Sequence, residues 1–147
     1  MSDQPIISGS CLCQQVRYEV TGDPQMKLLC HCDNCRKVTG SSFMANAVYQ
    51  ENQFRIVSGE ELLKTYEDSN NSSGNVLSRA FCSNCSSSLF ITNSVYKGML
   101  TVTSGTMDLG PSKTEWAPQV EVFCKSRREW LPPVQGTTTC NEIEIFK

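Results

Sequence analysis

A chain of 147 residues with 39% hydrophobic and 19% charged residues can bury one core, at a length where single domains are commonest. Its formal net charge of −2 gives no general attraction for nucleic acid or an anionic membrane, and no apolar run approaches the ~20 residues that cross a bilayer. The outlying feature is nine cysteines beside a single histidine; an odd number of thiols cannot all pair as disulfides.

The N-terminal "MSDQPIISGS" has neither a basic n-region nor an apolar h-region, which predicts a cytoplasmic chain whose thiols stay reduced. Short strands dominate the rest of the chain. "VRYEV" alternates Val16, Tyr18 and Val20 against Arg17 and Glu19, the period-two pattern of a half-buried strand. "FMANAVYQ", "QFRIVSG", "LLKTYED", "VLSRAF", "SLFIT", "MLTVTSG" and "QVEVF" continue the series, with turn residues between them. "DSNNSSGN", residues 68–75, reads as a solvated linker between two strands. "WAPQ" and "WLPPVQG" mark turns, because proline offers no ladder donor. No stretch sustains a 3.6-residue apolar period. The prediction is one mainly β domain over residues 1–147, with no repeat and no internal boundary.

The cysteines fall into three clusters and two singletons. Cys11 and Cys13 form C-x-C, Cys30, Cys32 and Cys35 form C-x-C-x-x-C, and Cys82 and Cys85 form C-x-x-C; Cys124 and Cys140 stand apart. Thiolates suit the tetrahedral shell of zinc, and a C-x-x-C turn presents two sulfurs on one side of a tight knuckle. Seven clustered sulfurs divide into four and three: one closed structural zinc and one zinc with an open position, as catalytic zincs have. Only the middle cluster supplies three ligands by itself. The open site is therefore assigned to Cys30, Cys32 and Cys35, and the closed one to Cys11, Cys13, Cys82 and Cys85, with two Zn2+ per chain. A purely structural pair of sites, with His31, Cys124 or Cys140 in the eighth place, is the alternative.

"GSCLCQQVRYEV", "CHCDNCRKVTGSSF" and "RAFCSNCSSSL" resemble the three signature segments of the glutathione-dependent formaldehyde-activating family, which includes centromere protein V-like proteins. The resemblance runs from about Gly9 to Trp130. It implies an Mss4-like fold of short antiparallel sheets organised around zinc-binding cysteine knuckles, with the same division of structural and catalytic zinc. It also implies carbon–sulfur lyase or synthase activity on a small-molecule thiol such as glutathione and an electrophilic aldehyde. Two positions depart from the family pattern. Ser86 replaces the usual glycine after the last cysteine pair, at a turn that favours positive φ. Glu121 stands near the place of a frequent histidine.

Other residues carry weaker expectations. His31, between two presumptive ligands, is expected to point away from the metal, in a supporting or surface role. Arg36, Lys37 and Ser41 are candidate substrate contacts, with a solvated pair and a simple turn as the plain readings. Phe43, Phe81 and Phe90 are expected in the core, Cys124 and Cys140 as small buried hydrophobes, and Arg127, Arg128 and Trp130 behind the site wall. Two other functions stay open: the same zinc used for isomerisation, cyclisation or lyase chemistry on a specialised metabolite, and a zinc-stabilised binding module without catalysis. The lack of a basic tail argues against chromatin binding.

Overall fold

The computed structural model describes residues 4–109 and 116–143. In chain order its elements are β1 (Ile6–Ser10), β2 (Arg17–Thr21), β3 (Met26–Cys30), α1 (Asp33–Thr39), β4 (Met44–Gln50), β5 (Phe54–Ser58), β6 (Leu63–Asp68), β7 (Leu77–Cys82), β8 (Ser88–Asn93), β9 (Met99–Thr103), β10 (Val120–Val122) and β11 (Thr138–Thr139). The mainly β architecture expected from the sequence is what forms, and every segment with a predicted strand contains one.

Three strands and the helix are additions. Three of the five residues of β1 are glycine or serine and β11 is two residues long, so neither shows alternation. β3 buries Leu28, Leu29 and Cys30 in succession; a strand covered on both faces reads as a run, not an alternation. α1 has only seven residues, too few to display a helical period. It ends where Gly40 adopts φ 61 and its N–H reaches back to the last turn. The polar turn at Thr39–Ser42 is thus a helix end leading into β4.

The strands form two sheets. One has the order β1-β2-β5, and the other runs β11-β10-β3-β4-β9-β8-β7-β6. Pairing is antiparallel except at β10, which lies parallel to β3 and β11, with Val120 opposite Leu28 and Val122 opposite Cys30. That exception sets the C-terminal strand beside the middle cysteine cluster.

β4 and β9 sit inside the large sheet and bury both faces. Ala47, Tyr49, Leu100 and Val102 share a core with Val16, Tyr18 and Val20 around the small sheet. Met44 and Val48 point to the other side, where they pack with Leu28, Val122, Phe123 and the thiols of Cys30, Cys32 and Cys35. Strand periodicity therefore sorts each residue to one of two cores. Tyr18 is fully buried, and its hydroxyl is satisfied by Thr106 at 2.7 Å. Gly9 allows that packing, because a Cβ there would stand 2.2 Å from the Tyr18 ring.

Candidate metal centres and the adjoining cavity

The first cluster joins two distant turns. Cys11 and Cys13 follow β1, Cys82 ends β7, and Cys85 lies in the turn to β8. Their four sulfurs all lie within 4.8 Å of one another. Cys11 and Cys13 are separated by 3.5 Å and Cys13 and Cys82 by 3.9 Å. Tetrahedral zinc with ~2.3 Å bonds holds sulfurs about 3.8 Å apart, so the donor set fits that ion. Backbone geometry shapes the knuckle: Ser86 N–H donates to Cys82 O at 2.8 Å, and Ser86 takes φ 67. The Ser87 hydroxyl, 3.2 Å from Cys85 Sγ, lowers the Cys85 thiol to about 5 and favours the thiolate a metal binds.

The second cluster is built on one short segment. Cys30 ends β3, Cys32 caps α1, and Cys35 lies in the first turn of the helix. Their sulfurs also lie within 4.8 Å of one another, and all three residues are buried. Cys32 Sγ accepts from Cys35 N–H at 3.3 Å. Hydrogen bonds from the Cys30 and Cys35 thiols, in that order, hold Cys32 far below the ordinary thiol range. Cys30, bonded to that same thiolate and buried, is pushed far up. A group that concentrates negative charge on one sulfur while burying two more is a ready ligand set for a soft cation. No fourth Cys, His, Asp or Glu joins it among the described residues.

His31 does not join because its ring is committed elsewhere. It is fully buried, with Nε2 2.8 Å from Glu121 Oε1 on the parallel strand β10. The other Glu121 oxygen accepts from Val134 N–H at 2.9 Å and from the Thr137 hydroxyl at 2.8 Å. Burial opposes ionisation of Glu121, but these partners, with His31 foremost, outweigh it and lower the carboxyl. The departure at Glu121 thus supplies an anchor for the segment carrying the cysteines. His31 supports the cluster from inside the protein, and the surface alternative is excluded.

A partly open cavity of about 110 Å³ reaches this second cluster. Cys30, Cys32 and Cys35 form part of its wall, and much of the remainder is apolar: Leu28, Val48, Ile91, Met99, Val122 and Phe123. Phe123 holds φ 54, a conformation that costs a bulky residue energy and that often marks functional sites. Arg79, on β7, also lines the cavity. Its Nε donates to Asp68 Oδ2 at 2.9 Å, and Asn34 Nδ2 of α1 donates to both Asp68 oxygens at 2.9 and 3.0 Å. Although burial raises the Asp68 carboxyl, the bonds from Asn34 and Arg79 win and hold it below its ordinary range. Asp68 therefore ties the cysteine helix, β7 and the following loop together.

That loop corrects the linker reading of residues 68–75. Asp68 is buried, and Asn71, Ser72 and Ser73 line the cavity. Asn71 Nδ2 bonds to Asp68 O at 2.9 Å and Asn75 O at 2.8 Å, giving the loop its own scaffold. Arg36, Lys37 and Ser41 are placed elsewhere, around a separate depression with Asp33, Gly40 and Arg128. Arg36 is held by His31 O, Ser126 O and Asp33, so its charge fastens the helix to the C-terminal turn. Trp130 is 70% exposed and lines neither space. Phe43, Phe81 and Phe90 are half-buried, Phe43 standing edge-on to His31. Cys140 is buried as expected, whereas Cys124 is only half-buried, near Arg127.

Arg79 was the residue the sequence hid. On β7 it shares a face with Leu77 and Phe81, and a lone arginine between apolar residues of that phase was the available signal. Taken together, fold and sites define a class: a β protein with two thiol clusters suited to soft metal ions, one of them opening on a cavity. The chain belongs to the glutathione-dependent formaldehyde-activating enzyme family, which it matches over residues 6–126. It is 30% identical over 86 residues to an uncharacterized lyase of Schizosaccharomyces pombe, an overlap of 58% of this chain and 57% of that protein. The chain thus spans little more than half the length of that relative. A Rhodobacter sphaeroides protein of known crystal structure superposes with a TM-score of 0.58 at 20% identity, over 76% of this chain and 97% of the other. That likeness supports the fold.

Proposed function

We propose that this protein is a zinc-dependent enzyme that makes or breaks a carbon–sulfur bond between a small thiol, of which glutathione is the family's example, and an aldehyde. Cys30, Cys32 and Cys35 hold the reactive zinc, and Cys11, Cys13, Cys82 and Cys85 hold a structural one. The observation that carries the reading is that the three-thiol cluster forms the wall of a cavity, whereas the four-thiol cluster completes its own donor set away from it. Family membership and the lyase relative agree with it.

The reaction asks for little. A thiol sulfur bonds to the carbonyl carbon, the carbonyl π pair moves to oxygen, and the thiol proton ends on that oxygen. The reverse breaks the carbon–sulfur bond, with no change of oxidation state. A zinc bound there supplies Lewis acidity toward a thiol or a carbonyl oxygen. The chain itself contributes the rest. Three buried cysteines fix the ligand set, the His31–Glu121 pair holds their segment, and Arg79 places positive charge on the cavity wall. Apolar side chains keep bulk water from the reacting groups. Arg36, Lys37 and Ser41 have no part in this reading, because they line the other depression. Reduced thiols in two metal sites suit a cytoplasmic protein.

The test is adduct formation and cleavage followed by nuclear magnetic resonance, with the zinc-loaded protein, glutathione and a panel of aldehydes. Catalysis above the uncatalysed rate, abolished in Cys32→Ser with the fold retained, is the expected result. Equal rates in wild type and Cys32→Ser across the panel would refute the proposal.

A further inference from the structure

Two buried polar side chains on the cavity wall keep atoms that find no hydrogen-bond partner among the described residues. Both terminal nitrogens of Arg79 lack an oxygen acceptor, although its side chain is only 7% exposed, and Oδ1 of Asn46, a residue 4% exposed, lacks a donor. Buried polar groups of this kind cost free energy unless something pairs with them, and a charged donor costs most. Asp68 occupies only Nε of Arg79, leaving the forked end of the guanidinium, the part suited to carboxylates, with no oxygen acceptor among the described residues. The cavity wall is otherwise largely apolar. Apart from the thiols, Arg79 is the single ionisable side chain of ordinary charge among its described lining residues.

We infer that the cavity selects a largely apolar small molecule carrying one carboxylate, which the free end of Arg79 receives while Asn46 takes a neighbouring polar group. Glutathione fits this wall poorly. It brings two carboxylates and an ammonium, for which the described residues of the wall offer one cation and no carboxylate. The inference rests on the proposed function for what happens to the molecule, but the recognition itself needs no carbon–sulfur chemistry. The Arg79 guanidinium also stands close enough to Cys35 for a weak hydrogen bond as well as Coulombic attraction to its sulfur, so a guanidinium that merely balances thiolate charge is the outcome the experiment must separate.

Calorimetric titration of the zinc-loaded protein with 3-phenylpropanoate, 3-phenylpropan-1-ol and glutathione does so. Charge-assisted hydrogen bonds make the carboxylate bind at least about tenfold more tightly than the alcohol, and more tightly than glutathione. In Asp68→Asn/Arg79→Gln, which removes both charges together, carboxylate affinity falls to that of the alcohol and alcohol affinity is unchanged. If that variant does not fold, Arg79→Lys serves, since it keeps a cation for Asp68 without the fork; the carboxylate preference then falls several-fold. Equal binding of carboxylate and alcohol to wild type, no binding of either, or glutathione binding best would overturn the inference. A preference that survives the folded variant would too, because the carboxylate then sits elsewhere, on the metal for instance. Neither aromatic probe holds a thiol or an aldehyde, so these results stand apart from turnover. Loss of turnover with probe binding intact sinks the proposed function alone.

Discussion

The two thiol clusters differ in how they are held. The four-thiol cluster draws on two turns about 70 residues apart in sequence, at Cys11–Cys13 and Cys82–Cys85, and links the small sheet to the β7–β8 turn of the large one. The three-thiol cluster comes from one segment of six residues and is steadied by buried carboxylates and their partners: Asp68 with Arg79 and Asn34 on one side, Glu121 with His31 on the other. A metal in the first set closes a long loop and supports the fold. In the second set the segment is already shaped by α1, β3 and β10, so under the proposed function a metal there would serve chemistry more than folding.

The largest expected effect comes from this contrast. Apparent zinc-binding energies of structural sites reach about 10 kcal/mol or more and are folding energy where the ligands assemble only in the native state. Cys82→Ser should therefore melt far below wild type or fail to fold, while Cys32→Ser keeps most of its melting temperature. Similar melting of the two variants would erase the distinction between the clusters.

Next in size is the buried ion pair. Arg79→Ala leaves the Asp68 carboxylate buried beside Asn34 without its cation, and breaking such a pair costs about 3–5 kcal/mol. Denaturant titration should find a loss of that order, and the Asp68→Asn/Arg79→Gln protein should recover much of it. A loss below about 1 kcal/mol would mean that the pair is exposed to solvent in solution.

The same carboxylate gives a pH dependence. Because Asp68 titrates below its usual 3.8 in the folded protein, it stabilises the fold above its unfolded pKa, and that contribution is lost as pH falls through the folded value. The stability difference between wild type and Asp68→Asn should stay flat from about pH 7 to pH 5 and narrow below about pH 4. A difference that widened with acid would reverse the sign of the shift. The smallest effect belongs to the other cluster. Ser86→Gly removes the cost of a side chain at φ 67 and, after the extra freedom of glycine when unfolded, should raise stability by about 0.5–1 kcal/mol. Thermal melts resolve a change of that size.

What the sequence made legible tracks locality. Cysteine spacing marks the ligand clusters because C-x-C and C-x-x-C turns are local objects, and alternation marks β2 and β4 to β10 because a half-buried strand repeats every second residue. Residues whose roles depend on distant partners stayed hidden. Asp68 looks like one polar residue in a serine–asparagine run until α1 and β7 close on it. Arg36 looks like a cation beside a metal site until Ser126 O and His31 O are found to hold it. The parallel register of β10 against β3 gives Glu121 its partner, and no local pattern encodes that pairing.

X-ray absorption at the zinc edge, combined with elemental analysis, tests most directly the claim that one cluster is closed and the other open. With two zincs per chain, seven sulfurs should be shared between them, so the average shell holds three and a half sulfurs and the rest oxygen or nitrogen. A saturating thiol substrate should bring that average to four in wild type. Zinc content near one, or four sulfurs around every zinc before any thiol is added, would contradict the account and make the Cys30–Cys35 cluster structural.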